Sequence, residues 1–124
     1  MDTHTFLWWI TDDPKLSLRV RGIISDGENV IFISAVTGWE IAIKAQIGRL
    51  KLPDKPQRFI LEQLKINGMK SLPIEMRHAL HISTLPIHHQ DPFDRMLIAQ
   101  AQMEELPVLS ADPEIGKYEV TIIW

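Results

Sequence analysis

The apolar positions of this chain change period from segment to segment, and each change predicts an element. In PKLSLRVRGIISDG, Leu16, Val20, Ile23 and Ile24 recur at helical intervals between a proline and a glycine, which predicts a helix over about 14–25. NVIFIS is a short β-branched and aromatic run that suits a buried strand and is too short for a helix. SAVTGWEIAIKAQIG then returns to the helical period with Trp39, Ile43, Ile47 and Leu50, and Gly48 is its natural stop. A proline-marked turn, LPDKPQ, leads to a third helix, QRFILEQLKI, closed by Asn67-Gly68, and to a brief strand in MKSLPI.

The second half repeats the alternation. EMRHALHISTL reads as an amphipathic helix on Met76, Leu80 and Leu85. DPFDRMLIAQAQMEEL is the clearest helix, with Phe93, Leu97, Ile98 and Ala101 on one side. Asp91 suits its N-cap, Pro92 its first position, and Asp94 its first turn, where negative charge complements the helix dipole. PVLSAD and YEVTIIW are strands by composition. Short apolar strands alternating with helices predict parallel pairing through helical crossovers, hence an α/β fold: a three-layer α/β/α sandwich around a central parallel sheet, in one domain over 1–124.

Composition narrows the classes. In 124 residues there is no cysteine, so disulfides and thiolate metal sites are excluded, as a reducing compartment allows. The absence of a long apolar run or a signal segment predicts a cytoplasmic protein without membrane association. A formal net charge of −3 argues against coating nucleic acid by bulk attraction. Positive charge is local instead, at Lys44, Arg49 and Lys51, and at Arg95 beside Asp94.

Open parallel sheets bind ligands beyond the carboxyl ends of their strands. Asp112 ends a predicted strand, Glu40 lies early in the helix after NVIFIS, and Asp91 and Asp94 open the helix leading into PVLSAD. Asp2 precedes THTFLWW. Carboxylates gathered at one sheet edge repel one another, and such clusters serve chiefly to hold hard cations such as Mg²⁺ or Mn²⁺. An ion held there can orient a water against a phosphodiester. Each acid also has a purely local reading. Thr37 and Glu40 have capping-box spacing, with Lys44 placed for an i,i+4 ion pair, and Asp112 before Pro113 suits a turn.

DTHTFLWW, ISAVTGWEIAIKAQIGRLKL, LPIHHQDPFDRMLIAQA, VLSAD and YEVTIIW together resemble the PIN-domain ribonucleases, in particular the VapC-type toxins of toxin–antitoxin pairs. The resemblance implies a metal-dependent endoribonuclease acting on RNA, dimeric, and inhibited by a cognate antitoxin. It implies Asp2, Glu40, Asp94 and Asp112 as the catalytic and metal-binding acids, with Asp91 an additional acid or simply the cap. Lys44 and Arg95 are then suited to phosphate contacts, or to structural ion pairs with the acids. Relatives carry apolar residues before the first Asp as the central strand, whereas only Met1 precedes it here. The first strand is thus expected to be truncated, the sheet gapped and Asp2 placed on a frayed end. The alternative function is a degenerate, non-catalytic member that binds antitoxin or RNA. A zinc site built from His78, His81, His88 and His89 lacks the acidic base of the H-E-x-x-H pattern. A phosphotransferase with an aspartate nucleophile would need a second acid where His4 stands. Trp8, Trp9 and Trp39 are expected in the core or at interfaces.

Overall fold

The computed structural model describes residues 1–124. The first element is a helix, α1 (Thr3–Ile10), which the sequence pattern does not announce: Phe6 to Ile10 are all apolar and show no period. Its start is set by Asp2, whose Oδ1 accepts the Thr5 N–H at 3.0 Å. Helix α2 (Leu18–Ser25) is shorter than the 14–25 expected, because Ser17 caps it by accepting the Val20 N–H and Pro14–Leu16 form a turn. Strand β1 (Phe32–Ser34) runs directly into α3 (Ala35–Gln46), and Ser34 is both strand end and N-cap. Gly48 at φ +76° and Gly68 at φ +63° follow α3 and α4 (Pro56–Ile66), in the left-handed region that glycine enters without steric cost. After β2 (Lys70–Leu72) come α5 (Met76–His81), which continues as a 3₁₀ turn (Ile82–Thr84), and α6 (Pro92–Glu104). Strands β3 (Val108–Leu109) and β4 (Ile122–Ile123) close the chain around a second 3₁₀ turn.

All strand pairing is parallel. It forms two separate ladders, β1 with β2 and β3 with β4, in place of one central sheet. Phe32 faces Lys70 in the first ladder, and Val108 faces Ile122 in the second. The Asp2 N–H donates to the Leu109 carbonyl of β3 at 3.2 Å.

Successive residues of β3 enter different apolar clusters. Leu109 joins Phe6, Leu16, Val20, Ile33, Ile41 and Ile60, supplied by α1, the turn before α2, α2, β1, α3 and α4. Val108 joins Val36, Leu97 and Ala101, where α6 packs, and a further cluster of Leu85, Ile98, Ala99, Ile115 and Tyr118 lies beneath α6. Two amphipathic readings fail in detail. Trp39 of α3 and Ile47 just after it are exposed, and the face turned inward carries Val36, Thr37, Glu40 and Ile41. In α5, Met76 and Leu80 are exposed and the buried residue is His78. His78 Nδ1 accepts the Glu75 N–H at 3.0 Å while Nε2 donates to Glu104 at 2.8 Å, so its imidazole clasps α5 to α6.

Candidate metal-binding site

The carboxylates gather where the sheet rule places them, each held by its own local structure. Asp91 is the N-cap of α6, accepting N–H bonds from Phe93 at 2.8 Å and Asp94 at 3.2 Å. With its carboxylate committed to the backbone, Asp91→Ala should cost about 1 kcal/mol. A lowered melting temperature measured by circular dichroism, with the activity of the still-folded protein within a few-fold of the parent, is the expected outcome.

Asp94, one turn on, meets His89, whose Nε2 lies 2.7 Å from Asp94 Oδ2. Both side chains are largely shielded from solvent. Asp94, His89 and Asp112 each present a ligating atom within 4.8 Å of the other two. Burial pushes the Asp94 carboxyl up to about 6, the His89 hydrogen bond opposes the rise, and the negative charges of Asp91 and Asp2 add to it. The elevation is first an effect of burial. The donor set, oxygen-rich with one imidazole, fits a divalent cation.

Asp112 ties into the same corner. Its N–H donates to Ser110 Oγ at 3.0 Å, and its Oδ1 accepts the Glu114 N–H at 2.9 Å, the local bond of an Asx turn. Ser110 in turn donates to Asp2 Oδ2 at 2.5 Å. Asp2 is not on a frayed end. It is 5% exposed, caps α1 and anchors its own N–H on β3.

Glu40 occupies the adjoining position rather than the triad itself. Its Oε1 accepts from Thr3 Oγ1 at 2.6 Å, and its Oε2 pairs with Lys44 Nζ at 2.5 Å. The capping box expected between Thr37 and Glu40 does not form, because α3 begins three residues earlier at Ser34 and both side chains lie inside its buried face. Lys44 is half-exposed, with its ammonium at the rim. Arg95 turns the other way. Its guanidinium donates to the carbonyls of Pro86, His89 and Ile82 and to the Tyr118 hydroxyl, fixing the loop that carries His89.

Among the histidines, His81 contacts Gln102, His88 packs its ring on Tyr118, and His78 is committed to its clasp. The four are not assembled as a zinc site. The residue that sequence reasoning misses is His89 as a neighbour of the acids. The signal lay in the turn HHQDP, which folds position 89 back over the first turn of α6. Trp39, expected in the core or an interface, is 55% exposed and stacks edge-on against Phe93 with centroids 5.0 Å apart.

Parallel ladders between helices, with acids at the carboxyl ends of β1 and β3, define an α/β domain with an acidic site. The PIN domain family model matches residues 1–120, and the chain belongs to that family. It is also similar to a Mycobacterium tuberculosis (strain ATCC 25618 / H37Rv) protein named Ribonuclease VapC16, 31% identical over 63 residues. That match spans 51% of this chain and 45% of the relative, about half the length of each.

Proposed function

We propose that this chain is a divalent-metal-dependent endoribonuclease, the toxin of a toxin–antitoxin pair, on a PIN domain of the α/β/α sandwich type. The observation that carries the reading is the convergence of Asp94, Asp112 and His89, whose ligating atoms lie within 4.8 Å of one another, with Asp2 tied to Asp112 through Ser110. An accumulation of buried negative charge is stabilised by a cation. Asp94, Asp112 and Asp2 would hold Mg²⁺ or Mn²⁺, with Glu40 adjoining through Thr3. The ion supplies, when bound, a water of lowered pKa and charge to balance the phosphate. Ser110 and the Thr5 N–H fix both oxygens of Asp2, so that acid is oriented before any ligand arrives. His89 and Arg95 set the position of Asp94 and its loop. Lys44 at the rim suits a backbone phosphate and also neutralises Glu40.

The relative named as a ribonuclease supports RNA as substrate, and a cognate antitoxin as partner belongs to the same proposal. No helix of the chain is long and apolar enough to cross a membrane. A homodimer belongs to the same proposal and is checked by sedimentation at micromolar concentration, where a monomer would remove it.

The test is a cleavage assay on single-stranded RNA. Internal cuts leaving a 5′-phosphate and a 3′-hydroxyl, dependent on Mn²⁺ and abolished by EDTA, are expected. Cutting that persists in EDTA, or a 2′,3′-cyclic phosphate product, would overturn the mechanism. The non-catalytic alternative draws on the divided sheet. Binding of RNA without cleavage in Mn²⁺ would select it.

A further inference from the structure

Two aromatic side chains stand directly before two of the acids: Trp39 before Glu40 on α3, and Phe93 before Asp94 on α6. Their rings meet where α3 packs on α6, with centroids 5.0 Å apart and planes at 80°. The two are held differently. Phe93 packs against the apolar cluster of Val36, Leu97, Ala101 and Val108, and its N–H is bonded to the Asp91 carboxylate, so its ring is a fixed seat. Trp39 is 55% exposed. In an edge-to-face pair one ring supplies an edge and the other a face, so Phe93 covers at most one face of the indole. The other stays in water. Next to it on the helix, Gly38 has no atom within 4 Å of where a Cβ would stand. Position 38 therefore puts no side chain in the way.

A lone exposed leucine elsewhere on the surface needs no explanation, but an indole seated with one face open beside a charged site does. A partner protein and a nucleobase could both cover that face, and charge decides between them. The cores of protein interfaces are depleted of charged groups. Here the same helix continues through Glu40 to Lys44, whose ion pair brings a partly exposed ammonium to the rim. From Trp39 to Lys44 the helix rises about 7.5 Å, so one short stretch of α3 offers both a π-face and a cation. A nucleotide, with its flat base and its phosphate, has the complementary pair of groups.

We propose that Trp39, seated on Phe93, stacks on one unpaired base of the RNA next to the phosphate held at the acids, and so determines which nucleotides are preferred there. The inference rests on the nuclease reading and deepens it. Stacking needs a base free of pairing, so cleavage falls in single-stranded segments. It rewards ring area, so a purine is favoured over a pyrimidine at that position. Phe93 touches no base and is a positioning residue.

The experiment measures binding of fluorescein-labelled oligo(A) and oligo(U) RNA of about a dozen nucleotides by anisotropy, with Ca²⁺ in place of Mn²⁺ as a hard cation for the same carboxylates. The parent should prefer oligo(A). Trp39→Ala should weaken oligo(A) binding about 10-fold or more and erase the preference over oligo(U). It should leave the slope of log Kd against log salt unchanged, because stacking releases no counterions. Trp39→Phe should keep most of the affinity, and Phe93→Leu should lose less than Trp39→Ala. Lys44→Gln should instead lower the salt slope by about 1 and keep the preference for oligo(A). Because the side chain is exposed, the melting temperature of Trp39→Ala should stay within a few degrees of the parent. RNA bound and cut by the parent, with Trp39→Ala matching it on both oligonucleotides, would overturn this inference and leave the nuclease reading standing. A parent that neither binds nor cuts RNA would overturn both. A Trp39→Ala chain that sediments as a monomer where the parent is a dimer would assign the indole to a subunit interface, which also overturns the proposal.

Discussion

Asp94→Asn should abolish RNA cleavage, by at least about 100-fold, while making the metal-free protein more stable near neutral pH. Both effects follow from the same crowding. Burial holds the Asp94 carboxyl at about 6 against an ordinary 3.8, so the folded state binds its proton more tightly than the unfolded state does. A raised native pKa contributes stability that is fully present below about 3.8 and is lost as pH rises through about 6. At pH 7.5 in EDTA the parent has lost that contribution and carries a partly buried charge; the asparagine variant does not. Its advantage is about 1 kcal/mol, since the partly solvated site screens the full shift. The advantage should shrink to nothing towards pH 4. Saturating Mn²⁺ should reverse the order, stabilising the parent more than the variant. Melts across pH in EDTA and in Mn²⁺, run beside the cleavage assay, test all of this. An asparagine variant that melts below the parent at pH 7.5 in EDTA yet still cuts RNA would make Asp94 a helix-starting residue.

Phe6→Ala should be the most damaging single truncation of the core. Phe6 is fully buried where α1, α2, β1, α3 and β3 meet, in contact with a cluster that includes Val20, Ile33, Ile41 and Leu109. Replacing a buried phenylalanine by alanine costs about 3–5 kcal/mol, against about 5–15 kcal/mol for a domain of this kind. Because the ladders are not directly paired, the side chains of this cluster carry much of the contact between them. Urea titration should show a midpoint lowered by a third or more, whereas Phe6→Leu should cost less than about 1.5 kcal/mol. A Phe6→Ala loss below 1 kcal/mol would show that α1 is not docked as described.

Much of the scaffold is legible in the sequence because local signals agree with the tertiary structure. Asp91-Pro92 starts α6, Asn67-Gly68 ends α4, and the four short apolar runs become the four strands. The misreadings have specific causes. On α3, the inward face includes Thr37 and Glu40, polar groups turned inside beside Thr3, and they break the apolar stripe that a periodicity reading needs. Trp39 and Ile47 take the outward positions in consequence. On α5 the buried group is an imidazole satisfied on both nitrogens, which hydrophobic patterning cannot anticipate. α1 is hidden because its apolar residues run without a period, and its only start signal is the acid also read as a candidate ligand. Asp94 and Asp112 are brought together as expected. His89 joins them through a loop geometry that depends on Arg95 and Tyr118, residues distant in sequence from each other.

Asp2 and Asp94 would decay differently if selection for activity were lifted. The Asp2 carboxylate starts a helix and receives Ser110, so the folded state itself favours an acceptor at that position. Asp94 offers the metal-free fold a net electrostatic burden. In an inactive lineage drift would strike position 94 early and leave position 2 with Asp, Asn, Ser or Thr long afterwards. A surviving first acid is therefore weak evidence that a descendant still works, and the acid on the first turn of α6 is the one to inspect.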